Sequence, residues 1–253
     1  MIKPIKDFGA GVGLLLHGFR LVLGNRSLLV KGALPALVTS VVLFGGLIVL
    51  AVTADDIVAW ATPFADDWSQ TWRAALRTAV AISVVVAAVA LSMLVFAGLT
   101  LIIGGPFYES IAEEVEDTVL GGVPEANDLG WVRSALAGLR DTVGLVLLAL
   151  LCAIPLFILG FVPVLGQTVV PVLAVCVGAW LLAIELTAIP FVRRGRALSE
   201  RRRTLRRGRF LTLGFAVPVY LLCLIPFAAL IVFPAAMAGG TLLAHTLLTR
   251  PQR

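Results

Sequence analysis

Two long runs without a single charged residue constrain the fold of this chain more than any other feature. Gly32–Val52 has 21 residues and Thr78–Pro106 has 29, and neither contains Asp, Glu, Lys or Arg. About 20 consecutive apolar residues are enough to cross the hydrocarbon core of a membrane as an α-helix. The two runs therefore predict two long transmembrane helices within residues 32–106.

A third apolar stretch is divided by a turn signal. Thr142–Val162 and Pro171–Val192 are separated by a segment, Pro163–Gln167, that contains proline and glycine. Residues of these two types interrupt helices and favour turns. The pattern predicts a helical hairpin over residues 142–192.

The last apolar stretch, Phe210–Thr249, contains Pro226 and Pro234. If these prolines interrupt the helices, each half has roughly 15 residues, which is fewer than a full crossing needs. We predict a second hairpin over residues 210–249. For both proline-broken hairpins two arrangements remain open, a full crossing of the membrane or partial entry into it.

The composition supports a membrane protein and excludes other classes. Hydrophobic residues make up 60% of the chain and charged residues only 14%, whereas soluble domains usually have about 25% charged residues. Disordered chains lack apolar residues, and the three cysteines lie in apolar stretches, which indicates packing rather than disulfides. We therefore predict an all-α, polytopic integral membrane protein with a single membrane domain over residues 1–253.

The sequence contains no signature of an enzyme. It has no P-loop, no nucleophile beside a base, and no group of His and Cys with the spacing of a metal site. We expect no catalytic activity, no cofactor and no metal.

The polar segments set the expected topology. Residues 1–27 place Phe8, Leu15 and Phe19 at helical spacing among basic residues, which predicts an amphipathic helix on the membrane surface. Basic residues favour the cytoplasmic side of a membrane. With the N-terminus inside, both the acidic segment 107–141, predicted to be helical, and the basic segment 193–209 face the cytoplasm. The C-terminus is also cytoplasmic in this topology.

The basic segment contains nine of the chain's 20 Lys and Arg residues. Arginines between membrane helices usually determine topology and bind anionic lipid headgroups, and a vestibule that attracts an anionic substrate is the second interpretation. No aromatic residues alternate with the arginines, so nucleic-acid binding is not favoured. The arginines are Arg193, Arg194, Arg196, Arg201, Arg202, Arg203, Arg206, Arg207 and Arg209.

Several stretches resemble a known family. Pro106–Glu116 reads Pro-Phe-Tyr-Glu-Ser-Ile-Ala-Glu-Glu-Val-Glu, and Val162–Leu173 reads Val-Pro-Val-Leu-Gly-Gln-Thr-Val-Val-Pro-Val-Leu. Weaker matches lie at Gly18–Val22 with Leu34-Pro35, and from Phe215 to Pro234. In this order they resemble the CysZ-type sulfate permease family, which shares a domain with the etoposide-induced membrane proteins. The Gly-Gln-Thr-x-x-Pro part is the most specific.

The resemblance implies a bacterial inner-membrane protein that forms oligomers and takes up sulfate for cysteine synthesis. It also implies an anion site at the start of the helix after Pro106, because a helix N-terminus presents free N–H groups and a partial positive charge. This chain departs from the family at Glu109, where the family has glycine. A carboxylate at this position repels sulfate. The implied site residues are Tyr108, Glu109, Ser110 and Ile111, with Arg26 and Lys31 nearby.

Glu185 lies inside the apolar run of the first hairpin. Ionisable groups at membrane depth are rare and costly, and they often carry function. Glu185 is therefore either a proton-coupling residue or a hydrogen-bonded side chain near the interface. Together these features predict transport of an inorganic anion, expected to be sulfate, through a channel or a proton-linked permease. The alternative is a membrane scaffold that binds lipids or a partner protein.

Overall fold

A computed structural model describes residues 2–122, 131–225 and 228–250. Every element in these ranges is helical, which confirms the predicted all-α class. A single 3-10 turn, Pro63–Ala65, lies among the described residues between α2 and α3. The helices are α1 (Ile2–Gly24), α2 (Arg26–Ala61), α3 (Gln70–Thr118), α4 (Trp131–Gly160), α5 (Leu165–Leu186), α6 (Ala188–Arg193), α7 (Leu198–Arg207), α8 (Arg209–Cys223) and α9 (Ala228–Thr249).

Several of these helices are long and apolar enough to cross a membrane, as the sequence predicts. A helix of about 20 apolar residues satisfies its backbone hydrogen bonds internally, which the bilayer requires. α8, with 15 residues, is shorter. Within the described ranges the candidate spans are Pro4–Gly24, Arg26–Ala54, Gln70–Ser92, Val143–Gly160, Leu165–Leu186 and Ala228–Thr249.

One compact unit covers Ala33–Gly105 and contains most of the two long helices α2 and α3. The connection between them is fixed by Arg77, whose Nη2 donates to Asp66 Oδ1 at 2.7 Å. Trp60 and Trp72 are exposed near this connection, where an aromatic belt at a membrane interface is expected.

The other unit comprises the residues up to Gly32 and those from Pro106 onward. Its buried core includes Leu15 of α1, Ile184 of α5, Phe215 of α8 and Leu243 of α9. α1 packs against α8 and α9 at very short range, because a Cβ on Gly18 would lie 2.2 Å from the carbonyl oxygen of Ala235. Small residues permit such close contact between membrane helices. The location of α1 on the membrane surface stays a prediction.

α3 corrects the prediction that a helix begins after Pro106. The helix is continuous from Gln70 to Thr118 with Pro106 inside it. A proline in a helix interior removes one N–H donor and costs about 3 kcal/mol. Burial of Tyr108, Ile111 and Val115 in the core offsets this cost, so packing carries the helix past the proline.

The first hairpin has its turn between Gly160 and Leu165, which overlaps the turn signal in the sequence. Gly166 permits the tight turn, because its N–H donates to Val162 O at 2.8 Å and a Cβ would lie 2.1 Å from Gly160 O. Pro171 lies inside α5 instead of at its start.

The helices of this hairpin also differ from the predicted bounds at their far ends. α4 begins at Trp131, within the segment predicted to be separate, because charged residues mark a membrane edge without ending a helix. α5 ends at Leu186, and Thr187 caps the break before α6 with a hydroxyl that donates to Ala183 O at 2.8 Å.

The second hairpin differs from the prediction in its longer arm. Pro234 lies inside α9, which runs for 22 residues and is mostly buried, so the expected length of roughly 15 residues holds only for α8. The other predicted interruption, Pro226, lies outside the described residues. The same is true of residues 123–130 in the acidic segment.

Candidate anion site

The junction of α1 and α2 brings three hydrogen-bond donors to one carboxylate of α3. Asn25 caps α2, because its Oδ1 accepts the backbone N–H of Ser27 at 3.0 Å. Glu114 accepts from Asn25 Nδ2 at 3.4 Å, from Ser27 Oγ at 2.9 Å and from Lys31 Nζ at 2.7 Å. We call Asn25, Ser27 and Lys31 the donor cluster.

The donor cluster favours a negative charge. The hydrogen bond from Lys31 lowers the pKa of Glu114, with help from Ser27 and Asn25, although burial opposes the effect. Solvent still reaches the pair, since the side chain of Glu114 is 18% exposed and that of Lys31 is 34% exposed. Arg26, between the first two donors, is exposed and pairs with no carboxylate in the described ranges. The cluster therefore combines positive charge and hydrogen-bond donors at a position that water reaches.

The predicted residues of the helix start do not form an open cradle for an anion. Their backbone lies inside α3, about two to three turns before its C-terminal end, where each amide donates to the carbonyl four residues earlier. The hydroxyl of Ser110 donates to Phe107 O at 2.8 Å, and the side chain of Ile111 is fully buried. Tyr108 is buried with its ring 5.5 Å from that of Phe233. Partial burial and the carboxylates of Glu113 and Glu185 raise the pKa of Glu109.

A second cluster of charges lies two to three residues further along α3. Glu116 is completely buried and forms ion pairs with Arg193 and Arg194, the former at 3.2 Å. Arg193 also pairs with Asp117 at 2.8 Å. We call these four residues the arginine clamp. It fastens the end of α3 to the end of α6, so these two arginines have an internal role that the sequence did not predict.

Arg201 also has an internal role. Its side chain is buried and lies 3.6 Å from the carboxylate of Asp141. Burial lowers the pKa of Arg201, and Asp141 and Glu185 oppose this effect. Arg196 pairs with Glu200 on the surface. The other five arginines of the segment have no ion-pair partner in the part of the chain that the structure describes: Arg202, Arg203, Arg206, Arg207 and Arg209.

Glu185 lines an open cavity of about 490 Å³ between α4, α5, α8 and α9. The other lining residues are mainly apolar, among them Leu182, Tyr220 and Phe233. The cavity gives this carboxylate a largely apolar surrounding, and its role in proton coupling stays a prediction. Among the described residues, no group of His, Cys, Asp and Glu can hold a metal ion.

Sequence reasoning missed Asn25, Ser27 and Glu114 as members of one cluster. Glu114 is more than 80 residues away from its three donors along the chain. The available signal was general, since the acids of 107–141 and the basic residues around Arg26 were predicted on the same side of the membrane. That signal indicates ion pairs without identifying the partners.

The long apolar helices, with a cationic cluster at the junction of two of them, define a polytopic helical membrane protein with a surface suited to an anion. The chain belongs to the family described as Sulfate transporter CysZ/Etoposide-induced protein 2.4, whose profile matches residues 14–234. This match confirms the resemblance seen in the sequence.

Three relatives are named Sulfate transporter CysZ. The chain is 34% identical to the protein of Pectobacterium atrosepticum over 140 residues, 55% of this chain and 51% of that protein. It is 36% identical to the protein of Vibrio parahaemolyticus over 153 residues, 58% and 60% of the two chains. It is 28% identical to the protein of Salmonella typhimurium over 235 residues, which are 92% of this chain and 90% of that protein. The first two matches therefore span only about half to three-fifths of those relatives.

Proposed function

We propose that this protein is a permease for an inorganic oxyanion, with sulfate as its substrate. The observation that carries the proposal is the likeness to a relative named a sulfate transporter over 92% of this chain and 90% of that one. The apolar helices support a role in a bacterial membrane. The likeness to named transporters also favours a protein that is not an enzyme.

The anion binds, in this proposal, at the donor cluster together with Arg26. Lys31 and Arg26 supply positive charge, and Asn25 and Ser27 supply neutral donors that suit the oxygens of sulfate. We prefer these side chains to the amides around Tyr108, because those amides lie inside the continuous helix α3. The proposed site retains Arg26 and Lys31 from the sequence prediction, and the side chains of Asn25 and Ser27 take the place of the backbone amides after Pro106.

The remaining assignments follow from the same proposal. The protein is multi-pass in the plasma membrane with both termini cytoplasmic, as the positive-inside rule predicts. The five arginines without an ion pair bind anionic lipid headgroups. The chain acts as a homo-oligomer, and Glu185 is the candidate for proton coupling if transport is linked to a proton gradient.

Uptake of radiolabelled sulfate into liposomes that contain the purified protein tests the proposal. We expect uptake above that of empty liposomes, and a reduction of about tenfold for Lys31→Met, equivalent to the loss of one charged hydrogen bond. Lys6→Met removes the same charge from an exposed position of α1 and is expected to have little effect. Lys31→Arg, which keeps the charge, is expected to restore part of the uptake.

Folded protein that gives no uptake above empty liposomes would contradict the proposal. Equal losses for Lys31→Met and Lys6→Met would contradict the location of the site, since net charge alone would then explain the effect. An imposed pH gradient distinguishes the two modes of transport. A channel ignores it, whereas a proton-linked permease responds to it and loses that response in Glu185→Gln.

A further inference from the structure

The donor cluster is already occupied by an anion that belongs to the chain. The carboxylate of Glu114 receives all three donors, two of them at one oxygen within 2.9 Å. A carboxylate and a sulfate present the same kind of acceptor, namely a negatively charged oxygen. The two anions therefore cannot use Lys31 and Ser27 fully at the same time, and one excludes the other.

The occupation by Glu114 is weak enough to be reversed. Both members of its ion pair are partly exposed, with 18% and 34% of the side chains accessible. Exposed and half-exposed ion pairs contribute little to stability, because water screens the two charges. An anion in solution can therefore reach the donors and replace the carboxylate without opening the core.

The electrostatic setting favours a sulfate over a single carboxylate once Glu114 has moved. Arg26 lies next to the donor cluster and has no ion pair in the part of the chain that the structure describes. The pairing of Lys31 with Glu114 neutralises one positive charge and leaves the charge of Arg26 uncompensated. A dianion matches two positive charges, which a monoanionic carboxylate does not.

We propose that Glu114 is an internal competitor for the anion site, a latch that an incoming tetrahedral oxyanion must displace from Asn25, Ser27 and Lys31. This inference rests on the proposed function, because it takes the transported sulfate as the displacing anion. Displacement also breaks the hydrogen bonds that Ser27 and Lys31 of α2 donate to Glu114 of α3, so binding of the anion and loss of these polar contacts occur together.

Competition of this kind raises the apparent dissociation constant for sulfate. The measured value equals the intrinsic one divided by the fraction of molecules whose site is free. If Glu114 occupies the donors about 80% of the time, its removal tightens binding about fivefold. The lowered pKa of Glu114 keeps the side chain ionised near neutral pH, so displacement rather than protonation opens the latch.

Equilibrium binding of radiolabelled sulfate to the purified full-length chain in detergent tests the latch. Glu114→Gln keeps the size of the side chain and removes the charge, and we expect the dissociation constant to fall about fivefold. Glu113→Gln is the matched control, because Glu113 is the adjacent residue of α3, is exposed and has no ion pair among the described residues. It is expected to change the affinity much less. Lys31→Met in the Glu114→Gln background is expected to abolish the gain.

Three results would overturn the latch. The first is that Glu114→Gln binds sulfate no more tightly than the unaltered chain. The second is that Glu113→Gln tightens binding equally, which would indicate general repulsion by the acidic residues. The third is that no variant binds sulfate although thermal unfolding shows that each is folded. If Glu114→Gln does not fold, the same measurement is made with Glu114→Asp. Its shorter side chain is expected to weaken the latch and to tighten the binding of sulfate.

Uptake by the unaltered chain separates the failure of the latch from the failure of the proposed function. Sulfate uptake combined with equal affinities of the unaltered chain and Glu114→Gln would overturn the latch and leave transport standing. Absence of uptake combined with tighter binding by Glu114→Gln would overturn transport and keep the latch.

Discussion

Two glutamates of α3, Glu114 and Glu116, have the same chemistry and opposite surroundings. Glu116 is completely buried and is held by two arginines of the clamp, whereas Glu114 is partly exposed and is held by one lysine and two neutral donors. Residues two positions apart on a helix face different directions, so one helix end supports both environments. Burial therefore decides which carboxylate stays paired and which can be exchanged for another anion.

The clamp gives the largest expected effect. Glu116→Gln leaves Arg193 and Arg194 half-buried without their shared counter-charge, and loss of one member of a buried ion pair costs about 3–5 kcal/mol. We expect a large decrease in the free energy of unfolding, measured by thermal or denaturant unfolding in detergent. Glu114→Gln is the matched change and is expected to cost about 1 kcal/mol or less. Equal losses of unfolding free energy in the two variants would show that burial does not distinguish Glu116 from Glu114.

A smaller effect is expected in the coupling of Lys31 with Glu114. A double-mutant cycle with Lys31→Met and Glu114→Gln is expected to give a coupling free energy of about 0.5–1 kcal/mol, because the pair is partly solvated. The exposed pair of Arg196 with Glu200 provides the reference, for which about 0.3–0.5 kcal/mol is expected. A coupling free energy of several kcal/mol between Lys31 and Glu114 would mean that sulfate cannot displace the carboxylate, which would contradict the latch.

The pH dependence of stability gives the smallest effect. The pKa of Glu114 is lowered from its ordinary value of 4.5, so the folded state favours the charged carboxylate. Its contribution is fully present above pH 4.5 and disappears as the pH falls through the lowered value. The difference in unfolding free energy between the unaltered chain and Glu114→Gln should therefore stay constant from pH 7 to about 5 and shrink at lower pH. A difference that grows on acidification would contradict the assigned hydrogen bonds.

The sequence predicts the membrane helices well, because their signal is local. Gly32–Val52 is charge-free over 21 residues, and such a run allows few structures other than a spanning helix. The turn near Pro163 has a local signal of the same strength. The family was recognised from short motifs, which the profile match over residues 14–234 confirms.

The rest depends on contacts between distant parts of the chain. Local rules read Pro106 as the start of a helix, whereas burial of Tyr108 and Ile111 holds α3 continuous through it. The partners of Glu114 and Glu116 are more than 70 residues away along the chain, so no spacing rule identifies them. The helix start expected at Pro106 was wrong for the first reason, and the donor cluster was missed for the second.

A structure of the full-length protein with selenate, whose anomalous signal locates a tetrahedral oxyanion, decides whether the donor cluster binds an anion in place of Glu114. We expect a selenium peak at the donor cluster, with anion oxygens within hydrogen-bond distance of Lys31 Nζ and Ser27 Oγ. The carboxylate of Glu114 should have left these atoms, while Glu116 remains in the arginine clamp. A selenium peak at another location, with Glu114 still bound to Lys31, would show that the anion does not displace Glu114.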